Sequence, residues 1–96
     1  MFEWDAKKAA ANLTKHGISF DEAATAFGDA NALDGADMKH SAAEARSLRL
    51  GRSAHGKIVM VAYTLRSAGN VETIRIISAR RASRKERHAY GGGAKD

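Results

Sequence analysis

The residues with most chemistry in them are crowded near the C-terminal end, in the run Arg75-Ile-Ile-Ser-Ala-Arg80-Arg81-Ala-Ser-Arg84-Lys85-Glu86-Arg87-His88. Guanidinium groups present a planar fork of donors that fits phosphate oxygens two at a time, so this density of arginine points to a polyanion, and RNA is the leading candidate. Arg80 and Arg81 fall where a strand should give way to a helix, and the first turn of that helix offers free backbone N–H groups, a second feature that suits an anion. The competing reading is that Arg80 and Arg81 pair with the acids of residues 1–45. A second constellation is His40-Ser41-Ala-Ala-Glu44-Ala-Arg46. On a helix, His40 and Glu44 would share a face, and an imidazole beside a carboxylate can move protons near neutral pH. An exposed loop histidine with no such role is the alternative. Tyr63 and Tyr90 could stack on unpaired bases, or pack in the core and at a helix end.

The charge distribution sharpens the first point. Residues 1–45 hold four lysines, no arginine and eight acids, a balance of −4. Residues 46–96 hold nine arginines, three lysines and three acids, a balance of +9. Such a split is an electrostatic device, and solubility alone does not require arginine in place of lysine. With no cysteine in the chain, disulfides, thiolate zinc sites and cysteine nucleophiles are excluded. The histidines His16, His55 and His88 stand apart from one another without metal-ligand spacing. The basic half has only Glu72, Glu86 and Asp96 as acids, which disfavours a two-metal nuclease. No metal and no cofactor is expected. The longest apolar run, Ile58 to Tyr63, is too short to span a bilayer, and no signal peptide is visible, so the expectation is a soluble, cytoplasmic protein with no membrane partner.

The elements that must position these groups are legible from caps and periods. A chain of 96 residues reads as a single domain, 1–96, with 91–96 as a flexible tail. Asp5 is a good N-cap for a helix from Ala6 to about Lys15, with Trp4 as a staple and Gly17 as a left-handed stop. Ser19 to Glu22 forms a capping box for a helix running to about Phe27, with Gly28 as its cap glycine. The two helices should pack as a hairpin. A short strand is expected at Ala30–Leu33, followed by a loop or a helical turn over 34–45. Alternation predicts a strand from Arg46 to Leu50, a doubly covered apolar strand from Lys57 to Leu65, and a third from Thr73 to Ala79. Period two puts Arg75 and Ile77 on one face and Ile74 and Ile76 on the other. Ser83 to Glu86 is a second capping box, opening a helix to about Tyr90. The expected fold class is α+β: two N-terminal helices on a three- to four-stranded antiparallel sheet, with a short C-terminal helix. Phe2 to Trp4 could add an edge strand.

Read together, these motifs resemble the BrnT toxin family. The resemblance rests on Phe2-Glu-Trp-Asp5, Asn12-Leu-x-Lys15-His16-Gly17-Ile18-Ser19-Phe20, Glu22-Ala-Ala and Phe27-Gly-Asp29. It continues through the His40 motif, Gly51-Arg-Ser53, Ile74 to Ala82, and Ser83-Arg-x-Glu86-Arg87, covering residues 2–90. Ala6 stands where many relatives carry proline, and the glycine tail after Tyr90 is unlike them. The resemblance implies a RelE-like fold, a ribonuclease that arrests growth, and a ribbon-helix-helix antitoxin of the BrnA type. That antitoxin neutralises the toxin and represses the shared operon, so operator DNA is met only through it.

On that footing, the expected reaction is metal-independent endoribonuclease cleavage by the RNA's own 2′-hydroxyl. His40 is the acid–base candidate, oriented by Glu44. Arg46, Arg75, Arg80 and Arg81 would hold the phosphate and its developing charge. Arg49, Tyr63, Arg84, Arg87 and Tyr90 would bind RNA. The alternative is a non-catalytic module that uses the same arginines to bind nucleic acid or the antitoxin.

Overall fold

Local chemistry sets the helix ends. In the computed structural model, which describes residues 1–40 and 45–91, helix α1 spans Ala6–His16. The Asp5 carboxylate accepts from the backbone N–H groups of Lys7 and Lys8 at 2.8 and 3.1 Å. Gly17, at φ +72°, closes the helix by donating to the Leu13 carbonyl at 2.8 Å. Helix α2, Phe20–Thr25, starts at Ser19, whose hydroxyl accepts from Glu22 N–H at 3.0 Å. The expected box is only half formed, because the buried Glu22 carboxylate accepts the Ser53 hydroxyl at 2.7 Å instead. Gly28 is not the left-handed cap expected of it. The helix passes at Ala26 into a 3-10 turn, Ala26–Gly28, whose own bond from Asp29 N–H to the Ala26 carbonyl makes that cap unnecessary.

Five strands follow or flank these helices: β1 (Phe2–Glu3), β2 (Leu33–Ala36), β3 (Ser47–Arg52), β4 (Ile58–Ala68) and β5 (Val71–Arg81). Helix α3, Arg84–Tyr90, comes last. The sheet order is β1-β5-β4-β3-β2. The expectation of an antiparallel sheet of three or four strands is therefore corrected. β1 pairs parallel with β5, Phe2 against Ile74 and Glu3 against Arg75, and makes the sheet mixed. A two-residue strand is too short to show alternation in sequence. β2 also starts later than expected, since Asp29 holds residues 29–32 in a turn. Its carboxylate accepts from Asn31 N–H at 2.9 Å and from Arg52 N–H at 2.7 Å. β4 and β5 run longer than their apolar cores, joined by a tight turn at Gly69, φ +62°, and Asn70.

The core lies on one face of this sheet. Ile18, Phe20, Ala23 and Ala26 meet Val59 and Val61 of β4 and Ile76 and Ala79 of β5. Strict alternation cannot bury both Ile76 and Ala79. A bulge resolves this: Ala62 pairs with Ser78 but Tyr63 pairs with Ile76, so Ile77 is the extra residue. Alternation thus holds from Ile74 to Ile76 and then shifts by one, which turns Ser78 and Arg80 to the opposite face.

The two helices pack chiefly on β5 rather than as a hairpin on each other. Asn12 makes the join. Its amide donates to the Ala79 and Ile18 carbonyls at 2.8 and 2.9 Å and accepts from Ala79 N–H at 3.0 Å. It supplies the hydrogen bonds that a neighbouring strand would make where β1 has ended.

Gly51 lets the 3-10 turn approach β3. A Cβ there would lie 3.1 Å from the Ala26 carbonyl oxygen and 3.2 Å from the Ala32 Cβ. Gly51→Val should therefore destabilise the fold by about 1–3 kcal/mol, read as a lower urea midpoint.

Candidate active site

The helices cover one face of the sheet and leave a cleft on the other. Leu48 of β3, Met60 and Ala62 of β4, and Ile77 and Ser78 of β5 contribute its floor. The cleft encloses about 710 Å³. The turn after β2, residues 37–40, lines it together with Arg46, while His16 at the end of α1 lines it together with Arg80. A floor of apolar side chains with a few convergent polar groups is the usual make-up of a binding site.

Among the described residues, the carboxylate beside His40 is that of Asp37. The His40 Nδ1 lies 3.3 and 3.2 Å from the two Asp37 carboxylate oxygens. Asp37 is buried, while the His40 side chain is 64% exposed. The residue that orients the ring is therefore shielded and the ring itself is open to substrate. The turn is closed by His40 N–H on the Asp37 carbonyl at 3.4 Å. Asp37 N–H donates to the Arg46 carbonyl at 2.9 Å, which ties the dyad to the start of β3. Ser41 and Glu44 lie outside the described residues. Asp37 was missed in the sequence because only the spacing of four from His40 to Glu44 was weighed, whereas the turn over residues 37–40 brings a carboxylate from three residues before. His16 was missed because it has no titratable neighbour at a recognisable spacing.

The arginines divide by face and by partner. Arg46 and Arg80 line the cleft. Arg80 is half-exposed and makes two parallel bonds to Glu86, at 2.8 and 2.9 Å. Glu86 also closes the capping box of α3 by accepting from Ser83 N–H at 2.8 Å. The anion at the strand–helix junction is thus the chain's own carboxylate. This bond from Arg80, with that from Ser83 N–H, lowers the Glu86 carboxyl from 4.5 to about 2. A depressed folded-state value gives stability that is complete above the unfolded value and lost as pH falls through the folded one. Acid titration should accordingly loosen the α3 junction between about pH 4.5 and 2, and Glu86→Gln should flatten that part of the stability profile.

Arg75 shares the open face with the cleft but pairs with Glu3 at 2.9 Å and does not line it. Arg81 pairs in register with Val59, so the two adjacent arginines point to opposite faces. Arg81 and Arg84 are exposed and carry no side-chain partner among the described residues. Arg87 donates to the Ala82 carbonyl at 2.8 Å.

Arg49 sits on the helix-covered face. It forks onto Asp34 at 3.1 and 3.0 Å and lies 4.7 Å over the Phe27 ring. Tyr63 is buried there too, edge-on to Phe27, with its hydroxyl donating to Asp34 at 2.7 Å; burial, then this bond, raises its pKa. Tyr90 donates to Asp29 at 2.6 Å, with the Arg52 guanidinium 5.7 Å from its ring. None of Arg49, Tyr63 and Tyr90 lines the cleft.

The family described as "Ribonuclease toxin, BrnT, of type II toxin-antitoxin system" matches residues 4–86 of this sequence. The chain belongs to the BrnT family. The match contains every cleft residue named above, from His16 to Arg80. Among solved structures, the chain is similar to the ribonuclease toxin BrnT of Brucella abortus, with a TM-score of 0.62 and 25% identity. That likeness covers 88% of this chain and 99% of the Brucella one. A search of curated proteins found no significant match. BrnT membership implies an RNA substrate and an antitoxin partner. Among the described residues, no helix is long and apolar enough to cross a membrane.

Proposed function

We propose that this BrnT-family chain is an endoribonuclease that cuts RNA without a metal, using the 2′-hydroxyl of the substrate as nucleophile. The observation that carries the reading is the cleft in which a His40–Asp37 dyad meets Arg46 and Arg80 over an apolar floor. The reaction needs a base for the 2′-hydroxyl, an acid for the departing 5′-oxygen, and cations at the phosphoryl oxygens. His40 is an acid–base group, and Asp37 fixes its ring and supports the imidazolium form. Arg46 supplies positive charge beside it. Arg80 keeps guanidinium N–H groups beyond those that bind Glu86 and offers them from the β5 side. Arg81 and Arg84 draw RNA toward the rim, and Arg75 extends the basic track along the open face.

Arg49, Arg87, Tyr63 and Tyr90 act in the fold, through the contacts already described. Among the described residues, the cleft brings together acid–base and cationic side chains, the groups a metal-free route uses. Asp37, the carboxylate lining the cleft, is engaged by His40.

An antitoxin of the BrnA type would neutralise the toxin by covering this cleft, and would be the component that touches operator DNA. The test is cleavage of a single-stranded RNA and the matched DNA in excess chelator. RNA alone should be cut, at the same rate with and without chelator. Cleavage of the DNA, or loss of cleavage in chelator, would remove the 2′-hydroxyl mechanism. Binding of either strand without cleavage would leave the protein a binding module.

A further inference from the structure

A transfer to a leaving oxygen requires a second proton-carrying group, and it has to stand opposite the first. In an in-line displacement, the attacking and leaving oxygens lie on opposite sides of phosphorus, so one imidazole on one wall cannot serve both in a single step. The dyad His40–Asp37 occupies the wall beyond β2. The opposite wall, three strand spacings or about 14 Å away across the sheet at β5, is lined by His16 and Arg80.

His16 is placed there by the fold. It is the last residue of α1, and Gly17 turns the chain away immediately after it. One turn earlier, Asn12 grips both backbone groups of Ala79, between the cleft residues Ser78 and Arg80. The end of α1 is thereby fixed to β5 at the level of the cleft. His16 is partly buried and makes no hydrogen bond or ion pair among the described residues. Lys39 also lines the cleft, but it stands on the His40 wall.

We infer that His16 is the general acid of the ribonuclease reaction, with His40 as the base. This rests on the ribonuclease reading above. His40 takes the proton from the 2′-hydroxyl as the bond from O2′ to phosphorus forms. The bond from phosphorus to O5′ breaks, its electron pair stays on O5′, and the His16 imidazolium gives its proton to that oxygen. The products are a 2′,3′-cyclic phosphate and a 5′-hydroxyl end.

The experiment compares two substrates that differ in one atom: a single-stranded RNA, and the same RNA with sulfur in place of the bridging 5′-oxygen. A thiolate leaves without a proton. His16→Ala and His16→Gln should each slow cleavage of ordinary RNA by about 10²–10⁴-fold and the sulfur substrate by no more than about tenfold. His40→Ala should slow both alike. Equal loss on both substrates in the His16 variants, or no loss on ordinary RNA, would overturn the assignment. So would a lowered unfolding midpoint accompanied by loss on both. If the unaltered protein cuts neither substrate, the ribonuclease reading itself has failed, and this inference falls with it.

Discussion

Replacing His40 with alanine is expected to slow RNA cleavage by about 10²–10⁴-fold while leaving the unfolding midpoint unchanged. The separation of the two effects is the point. The His40 side chain is 64% exposed and, among the described residues, its ring contacts the Asp37 carboxylate, so its removal opens no cavity in the core. Asp37→Asn keeps the shape of the turn but removes the charge that supports an imidazolium, and should show a smaller loss in the same assay. Asp37 is buried, however, and its backbone joins the turn to Arg46. The asparagine variant is therefore the informative one, since alanine would disturb the turn as well. Rates would be measured under single-turnover conditions beside urea unfolding of each variant. A His40→Ala protein that cleaves at the unaltered rate would remove the dyad from the mechanism.

The largest effect on stability is expected at Asn12. Asn12→Leu leaves the Ala79 N–H, the Ala79 carbonyl and the Ile18 carbonyl without the partners they have now. Buried backbone groups left unpaired cost roughly 1–3 kcal/mol each, and partial access of water lowers the sum, so a loss of about 3 kcal/mol is expected. In a small domain of ordinary stability that is a large share of the total. The urea midpoint should fall with little change in slope. A shift below about 1 kcal/mol would mean that the amide adds little beyond solvent. Because Asn12 also fixes the end of α1 beside the cleft, residual folded protein should cleave RNA more slowly than its folded fraction accounts for.

These two residues also mark what could be read from sequence and what could not. The caps at Asp5, Gly17 and Ser83 were legible because each depends on partners within four residues. Asn12 was not, since it binds Ala79 across 67 residues. Strands β3, β4 and β5 were legible from their apolar periods, whereas β2, with the sequence Leu-Asp-Gly-Ala, has none and was placed too early. The bulge at Ile77 and the two-residue β1 were not legible, because both arise only when strands pair. The excess of arginine was plain from composition, but not its engagement. Glu3 holds Arg75 from 72 residues away, and Asp34 holds Arg49 from 15. Glu86, six residues on, holds Arg80. The competing reading, that acids of the first half pair with arginines, thus applies to Arg75 and Arg49, while Arg80 finds its acid inside α3. What began as one basic half resolves into a set of structural ion pairs and a smaller group of cations around a histidine cleft.

A histidine pair across an apolar cleft and a metal-activated water leave different ends on the cut RNA. The most direct measurement is the mass of the fragments released from a defined single-stranded RNA, taken early in the reaction. The 2′-hydroxyl route predicts a 2′,3′-cyclic phosphate on the upstream fragment and a free 5′-hydroxyl on the downstream one. A 3′-hydroxyl paired with a 5′-phosphate would contradict it.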